Sequence, residues 1–157
     1  MDPEARLHSE HPGELRLWLR MLTCTQLIEQ RVRSRLRESH GTSLARFDLM
    51  AQLERAPQGL RMSELSKRMM VTGGNITGLT DQLENEGCVQ RLPVPEDRRA
   101  FCICLTKKGR REFKDMAAHH EAWIVEAFAG LTTEQMATLH KLLGAVKHHQ
   151  QKVSEAL

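Results

Sequence analysis

The chain is 157 residues long, enough for one compact domain or a small domain with appended helices. Hydrophobic residues make up 40% and charged residues 27%, so an ordinary core can form and neither disulfides nor a structural metal are required. A net charge of +3 permits a nucleic-acid partner without demanding one, and no apolar run is long enough for a membrane-spanning helix.

Residues 1–13 hold two prolines, two histidines and a glycine and read as a loose arm. They lack the apolar segment of a secretion signal, so the expected location is cytoplasmic, with no membrane partner. From Leu15 to about Glu38 apolar residues recur at helical spacing, through Trp18, Leu22, Ile28, Val32 and Leu36, among many arginines. His40-Gly41 ends this helix, which is too long to serve only a small core. Ser43 is placed to cap a second helix with Leu44, Phe47, Met50 and Leu53 inward, closed by Pro57-Gln58-Gly59.

A short third helix puts Met62, Leu65 and Met69 on one face. After a gap of three or four residues, a fourth helix capped by Thr72 turns Ile76, Leu79 and Leu83 inward and stops at Gly87. Two β-rich runs follow, Cys88 to Leu92 and Ala100 to Leu105, around the proline-stiffened loop Pro93 to Arg99. In the second run Phe101, Ile103 and Leu105 alternate with Cys102 and Cys104, the period of a half-buried strand. Thr106 caps the next helix, with Phe113, Met116, His120 and Ile124 inward, and Gly130 stops it. Thr132-Thr133-Glu134-Gln135 has capping-box spacing, and the last helix carries Met136, Leu139, Leu142, Leu143, Val146 and Val153.

The order helix, short helix, turn, helix, basic hairpin carries the functional information. A turn this short forces a steep crossing, and the second helix then projects a polar face that a major groove can receive. That face holds Thr72, Gly74, Asn75, Thr77, Gly78, Asp81 and Gln82. Asn and Gln can pair with adenine edges, and a threonine methyl can meet the thymine methyl. Gly73, Gly74 and Gly78 cost about 1 kcal/mol each in a helix interior, and close approach of backbone to DNA is one reason to keep them.

Met62-Ser63-Glu64-Leu65-Ser66-Lys67-Arg68-Met69, the stretch Gly73 to Gly87, Asp97-Arg98-Arg99-Ala100 and Leu105-Thr106-Lys107-Lys108-Gly109 together resemble the successive landmarks of MarR-type repressors. The resemblance implies a mainly α winged helix-turn-helix protein with a two-stranded hairpin wing. Residues 43–112 would be the DNA-binding module. The arm and helix of residues 1–42 and the helices of residues 113–157 would then build a homodimer, and the long apolar stripes of those segments favour the same conclusion. DNA contacts are expected from Thr72, Gly73, Gly74, Asn75, Thr77, Gly78 and Gln82 in the major groove. Arg98 and Arg99 are expected in the minor groove, with Asp97 bracing the inserted arginine, on an imperfectly palindromic operator. Two departures stand out: Gly78 and Gln82 occupy an exposed face where many members carry a basic residue, and Arg61 stands where a Ser or Thr cap is more usual.

Such proteins commonly bind small aromatic anions between dimer helices and DNA module. By that resemblance Leu17, Arg20, Met21, Cys24, Arg46, Phe47, Met50, Met116 and His120 are the candidate effector residues. The effector class is a small aromatic carboxylate or its CoA thioester, which would release a repressor from its operator. Cys24 lies where some relatives sense peroxide, but those use tyrosines and this chain has none; an unactivated thiol is expected. Adjacent residues on a helix point apart, so neither His119-His120 nor His148-His149 chelates alone, and no metal or cofactor is expected. No P-loop, nucleophile elbow, HExxH or dinucleotide-binding glycine pattern occurs, which argues against an enzyme. The alternatives are a winged-helix protein-binding module and a thiol- or metal-sensing relative.

Overall fold

The computed structural model describes residues 12–69 and 75–155. Its elements run α1 (Gly13–His40), α2 (Leu44–Glu54), β1 (Leu60–Arg61), α3 (Met62–Arg68), α4 (Ile76–Asn85), β2 (Val89–Val94), β3 (Asp97–Leu105), α5 (Lys107–Ala127) and α6 (Thr133–Glu155). Two compact units result, one ending at Glu121 and one beginning at Ala122.

Local chemistry sets most helix ends. Gly41 closes α1 at φ 61°, a left-handed conformation that glycine adopts without a Cβ penalty, and its N–H reaches the Arg37 carbonyl. Ser43 accepts the Arg46 N–H to start α2. Thr106 does double duty, accepting the Gly109 N–H at 3.1 Å while its hydroxyl donates to the Gly87 carbonyl at 2.6 Å. Thr132 and Gln135 form the reciprocal capping box that their spacing predicts. For α3 only one half of such a box forms: Glu64 accepts the Arg61 N–H, and a guanidinium has no acceptor to return.

The core of the first unit lies in the module rather than in the long helix. Leu49, Met50 and Leu53 of α2, Leu65 of α3, Leu83 of α4, Val89 and Ile103 of the sheet, and Cys88 just before it are sealed from solvent, while α1 contributes only Val32 and Leu36. Each full burial of a Leu- or Met-sized side chain is worth about 1.5–3 kcal/mol, so α2 is the pillar of the module.

The sheet differs from a plain hairpin. Its order is β1-β3-β2, with Leu60 opposite Ile103 and Arg61 opposite Cys102. A two-residue strand carries no periodicity, so only the pairing reveals it. The β2–β3 hairpin is also longer than expected. Pro93, Val94 and Asp97 to Arg99 belong to strands, leaving Pro95-Glu96 as the turn, with a register irregularity at Pro93/Val94. Alternation fails at the base of β3, where Ile103, Cys104 and Leu105 are all buried; there β3 is the central strand, with β1 on its edge, and α2 and α3 pack against it. Phe101, farther out, is 51% exposed.

In the second unit, residues 128–132 link the end of α5 to α6. Along α6 no residue is buried; Met136, Leu139, Leu142, Leu143, Val146 and Val153 are all exposed apolar side chains. Among the described residues no helix is long and apolar enough to cross a membrane.

Candidate nucleic-acid interface

The fourth helix begins later than its sequence suggests. Residues 69–75 separate α3 from α4, and the cap is Asn75, not Thr72: the Asn75 side chain accepts the Gly78 N–H at 3.0 Å. Thr72, Gly73 and Gly74 lie outside the described residues. Asn75 therefore spends its carbonyl on its own helix, worth about 0.5–2 kcal/mol at such a position, and keeps only the amide N–H groups for a partner. Gly78 gains a local reason as well, since an added Cβ would stand 3.0 Å from Asn75 Nδ2.

Beyond the cap, α4 separates its faces clearly. Thr80 and Leu83 are buried, Ile76 and Leu79 are half-buried, and Thr77, Asp81 and Gln82 are exposed. Thr80, which an apolar stripe omits, is tolerated inside because its hydroxyl donates to the Ile76 carbonyl at 2.8 Å. Arg98 and Arg99 are exposed at the start of β3, beside the Pro95-Glu96 turn. The Asp97 carboxylate accepts the Arg99 backbone N–H at 3.0 Å, a bond that fixes the wing backbone and not the guanidinium.

Sequence reasoning missed the residue that joins helix to wing. Arg91 on β2 is paired with both Asp81 and Glu84 of α4, at 2.9 Å to the latter. The hydrogen bond to Asp81 raises the guanidinium pKa further. Without this partner α4 would present two bare carboxylates beside its exposed polar row. Two acids three apart on a helix, with an arginine on the next strand, were the available signal.

A second bridge anchors the other end of α4. Arg46 on α2 forms a two-pronged pair with Glu86, the C-terminal cap of α4, and holds that carboxyl below its ordinary range. Lys108 on α5 donates to the Glu86 carbonyl at 2.7 Å. Of the effector candidates, Arg46 is thus engaged by an internal carboxylate. Phe47, Met50 and Met116 are buried, and His120 packs its ring 4.8 Å from that of Phe47, where burial lowers its pKa. Leu17, Arg20 and Cys24 instead stand exposed on the first half of α1, with Met21 half-buried. These four need a further covering surface to become pocket wall.

The thiols divide by burial. Cys88 is buried and donates to Glu112 at 3.1 Å; desolvation first, then that carboxylate, push its pKa up to about 11. Burial raises Cys104 too. Both are therefore poor nucleophiles.

The sequence profile of the MarR family matches residues 42–101. Over 115 residues the chain is 30% identical to an uncharacterized HTH-type transcriptional regulator, YkoM of Bacillus subtilis, covering 73% of each. Its fold is similar to that of a MarR family transcriptional regulator from Silicibacter pomeroyi, with TM-score 0.76 and 30% identity over 92% of this chain and 99% of that one. It is also similar to a cysteine-to-serine mutant of MarR from E. coli complexed with operator DNA, with TM-score 0.71 and 26% identity over 85% and 96% of the two chains. These relatives are transcription regulators and not enzymes, and the chain belongs to the MarR family.

Proposed function

We propose that this protein is a homodimeric repressor that places α4 in the major groove and the β2–β3 wing in the adjacent minor groove of an imperfectly palindromic operator. The observation that carries the reading is the pairing of an exposed polar row on α4 with exposed arginines at the wing tip. Arg91 neutralises the two acids between them. Thr77 and Gln82 are the base readers, helped by Gly78 and by the residues at 72–75. Arg98 and Arg99 supply charge to the narrow groove.

The effector is a small aromatic carboxylate or its CoA thioester, acting in the cytoplasm. Phe47, Met50, Met116 and His120 offer the apolar wall, and a second copy would cover Leu17, Arg20, Met21 and Cys24. An incoming carboxylate can compete with Glu86 for Arg46. Because Glu86 caps α4, that exchange loosens the reading helix and releases DNA.

The test uses an operator enriched from random DNA and binding isotherms at several salt concentrations. Thr77→Ala and Gln82→Ala are expected to cost about 1–3 kcal/mol and to relax preference at particular base pairs. Arg98→Ala and Arg99→Ala are expected to weaken all sites alike and to lower the salt slope by roughly one unit for each phosphate left without its arginine. An unaltered slope in both arginine variants removes the wing from the interface. Titrating aromatic acids and their CoA thioesters against the complex, with Arg20→Ala and Arg46→Ala alongside, tests the effector separately.

A further inference from the structure

The last turn of α1 meets the middle of α5 through three side chains that the DNA-binding reading does not use. His40 Nε2 and His119 Nδ1 stand 2.9 Å apart. Asp115 lies one turn before His119 on the same face of α5. One ligand atom from each of the three falls within 4.8 Å of the other two. We propose that His40, Asp115 and His119 form a binding site for one divalent d-block ion per chain, with zinc as the reference case.

Donor chemistry and geometry agree. Two imidazoles and a carboxylate suit zinc, nickel, copper and iron, in preference to calcium or magnesium. At a metal–nitrogen distance of about 2.0–2.1 Å, nitrogens 2.9 Å apart subtend roughly 90° at the ion. That is a cis pair of an octahedron as it stands, and opening by about 0.5 Å makes it a tetrahedral pair. Three protein ligands leave room for water. The site borders a cavity of about 390 Å³, lined also by Thr42, Arg46, Glu86 and Glu112. Thr42 Oγ1 is buried in the structure with no hydrogen-bond partner among the described residues, which suits it to an ion-bound water. Of its carboxylates, Glu86 is paired with Arg46 and Glu112 with Lys108, which leaves Asp115 to meet the ion.

Sequence spacing hides this site, because His40 is 79 positions from His119. Its effect is to staple α1 onto α5, whose first turn already holds the end of α4 through Lys108 and Thr106. Without an ion the two rings can still be held by an N–H···N bond, and the experiment must separate these cases.

The full-length protein, stripped with chelator, is titrated with zinc by calorimetry and with cobalt by visible absorption. One ion per chain is expected, with cobalt d–d bands and a rise in melting temperature on adding zinc. His40→Gln, His119→Gln and Asp115→Asn should each weaken zinc by roughly 100-fold or more. Asp115→Asn leaves the imidazole pair untouched, so its loss of zinc identifies an ion site over a simple ring–ring bond. Helical circular dichroism of the metal-free variants confirms that each is folded. Zinc affinity that survives in Asp115→Asn and His119→Gln, or that is lost instead in His148→Gln and His149→Gln on α6, overturns the proposal. Stoichiometry below one ion per chain at micromolar zinc does so as well.

Discussion

Gly109 shows how a single residue fixes the joint between the wing and α5. A Cβ there would stand 1.9 Å from the Cys88 carbonyl oxygen and 2.8 Å from its carbon, both backbone atoms that cannot swing aside. The same carbonyl accepts the Thr106 N–H at 3.0 Å, so retreat would break the bond that starts α5. Two effects oppose each other in Gly109→Ala. Alanine favours a helix by about 1 kcal/mol, whereas overpacking against fixed backbone costs about 1–3 kcal/mol or more. The clash should win, and urea unfolding is expected to show a net loss of stability. A variant as stable as the parent would mean that α5 can slide away from Cys88. In the sequence this position stands out only as part of a family landmark. Its reason is a close approach to a residue 21 positions away, which no local pattern encodes.

At the scale of elements, the question is what keeps the wing in register with α4. Arg91, on the strand nearer the helix in sequence, pairs with Asp81 and Glu84 while lying opposite Ile103 in the sheet. Such partly exposed pairs add little to stability, but they set the charge of the face proposed to meet DNA. Arg91→Ala is expected to cut operator affinity roughly 10-fold by baring two carboxylates, with a small effect on unfolding. Asp81→Asn in that background should restore part of the loss, which a merely structural role for Arg91 would not allow. The measurement is a double-mutant cycle on the binding isotherm. Helix ends are legible in the sequence because caps are local: Ser43, Thr106, Thr132 and Gly41 act within four residues of themselves. The start of α4 is not, because Thr72 and Asn75 are both competent caps and only one is used. The strands exceed their sequence signal for a different reason. Prolines at 93 and 95 read as loop, yet Pro93 pairs with Phe101 at the outer end of a hairpin, where a missing N–H can be tolerated.

At the scale of the whole molecule, the long helices leave many large apolar side chains uncovered. Leu17, Trp18 and Leu27 on α1 are each more than half exposed, and α6 exposes an apolar residue on nearly every turn, Leu142 at 60%. Contiguous patches of this kind mark association sites, and a second copy is the occupant proposed above. The sequence carries this feature well, since the stripe on the last helix has no partner stripe left within the module. Charge placed on that row should separate assembly from folding. Leu139 and Leu143 are both exposed in the single chain, so Leu139→Glu with Leu143→Glu takes nothing from the core and should leave helical content intact. If the row is an interface, four carboxylates per pair of chains would be forced into an apolar surface, and sedimentation should report a monomer. DNA binding then changes in a calculable way. Two recognition helices spaced one DNA turn apart, roughly 34–36 Å, act as a bivalent ligand, and losing the tether forfeits about 10²–10⁴ in affinity for a two-half-site operator. Affinity for an isolated half-site should be nearly unchanged, because α4 and the wing are untouched. A variant that stays dimeric, or a monomer that binds the full operator as tightly as the parent, would place the partner surface elsewhere and break the link between the α6 stripe and palindromic recognition.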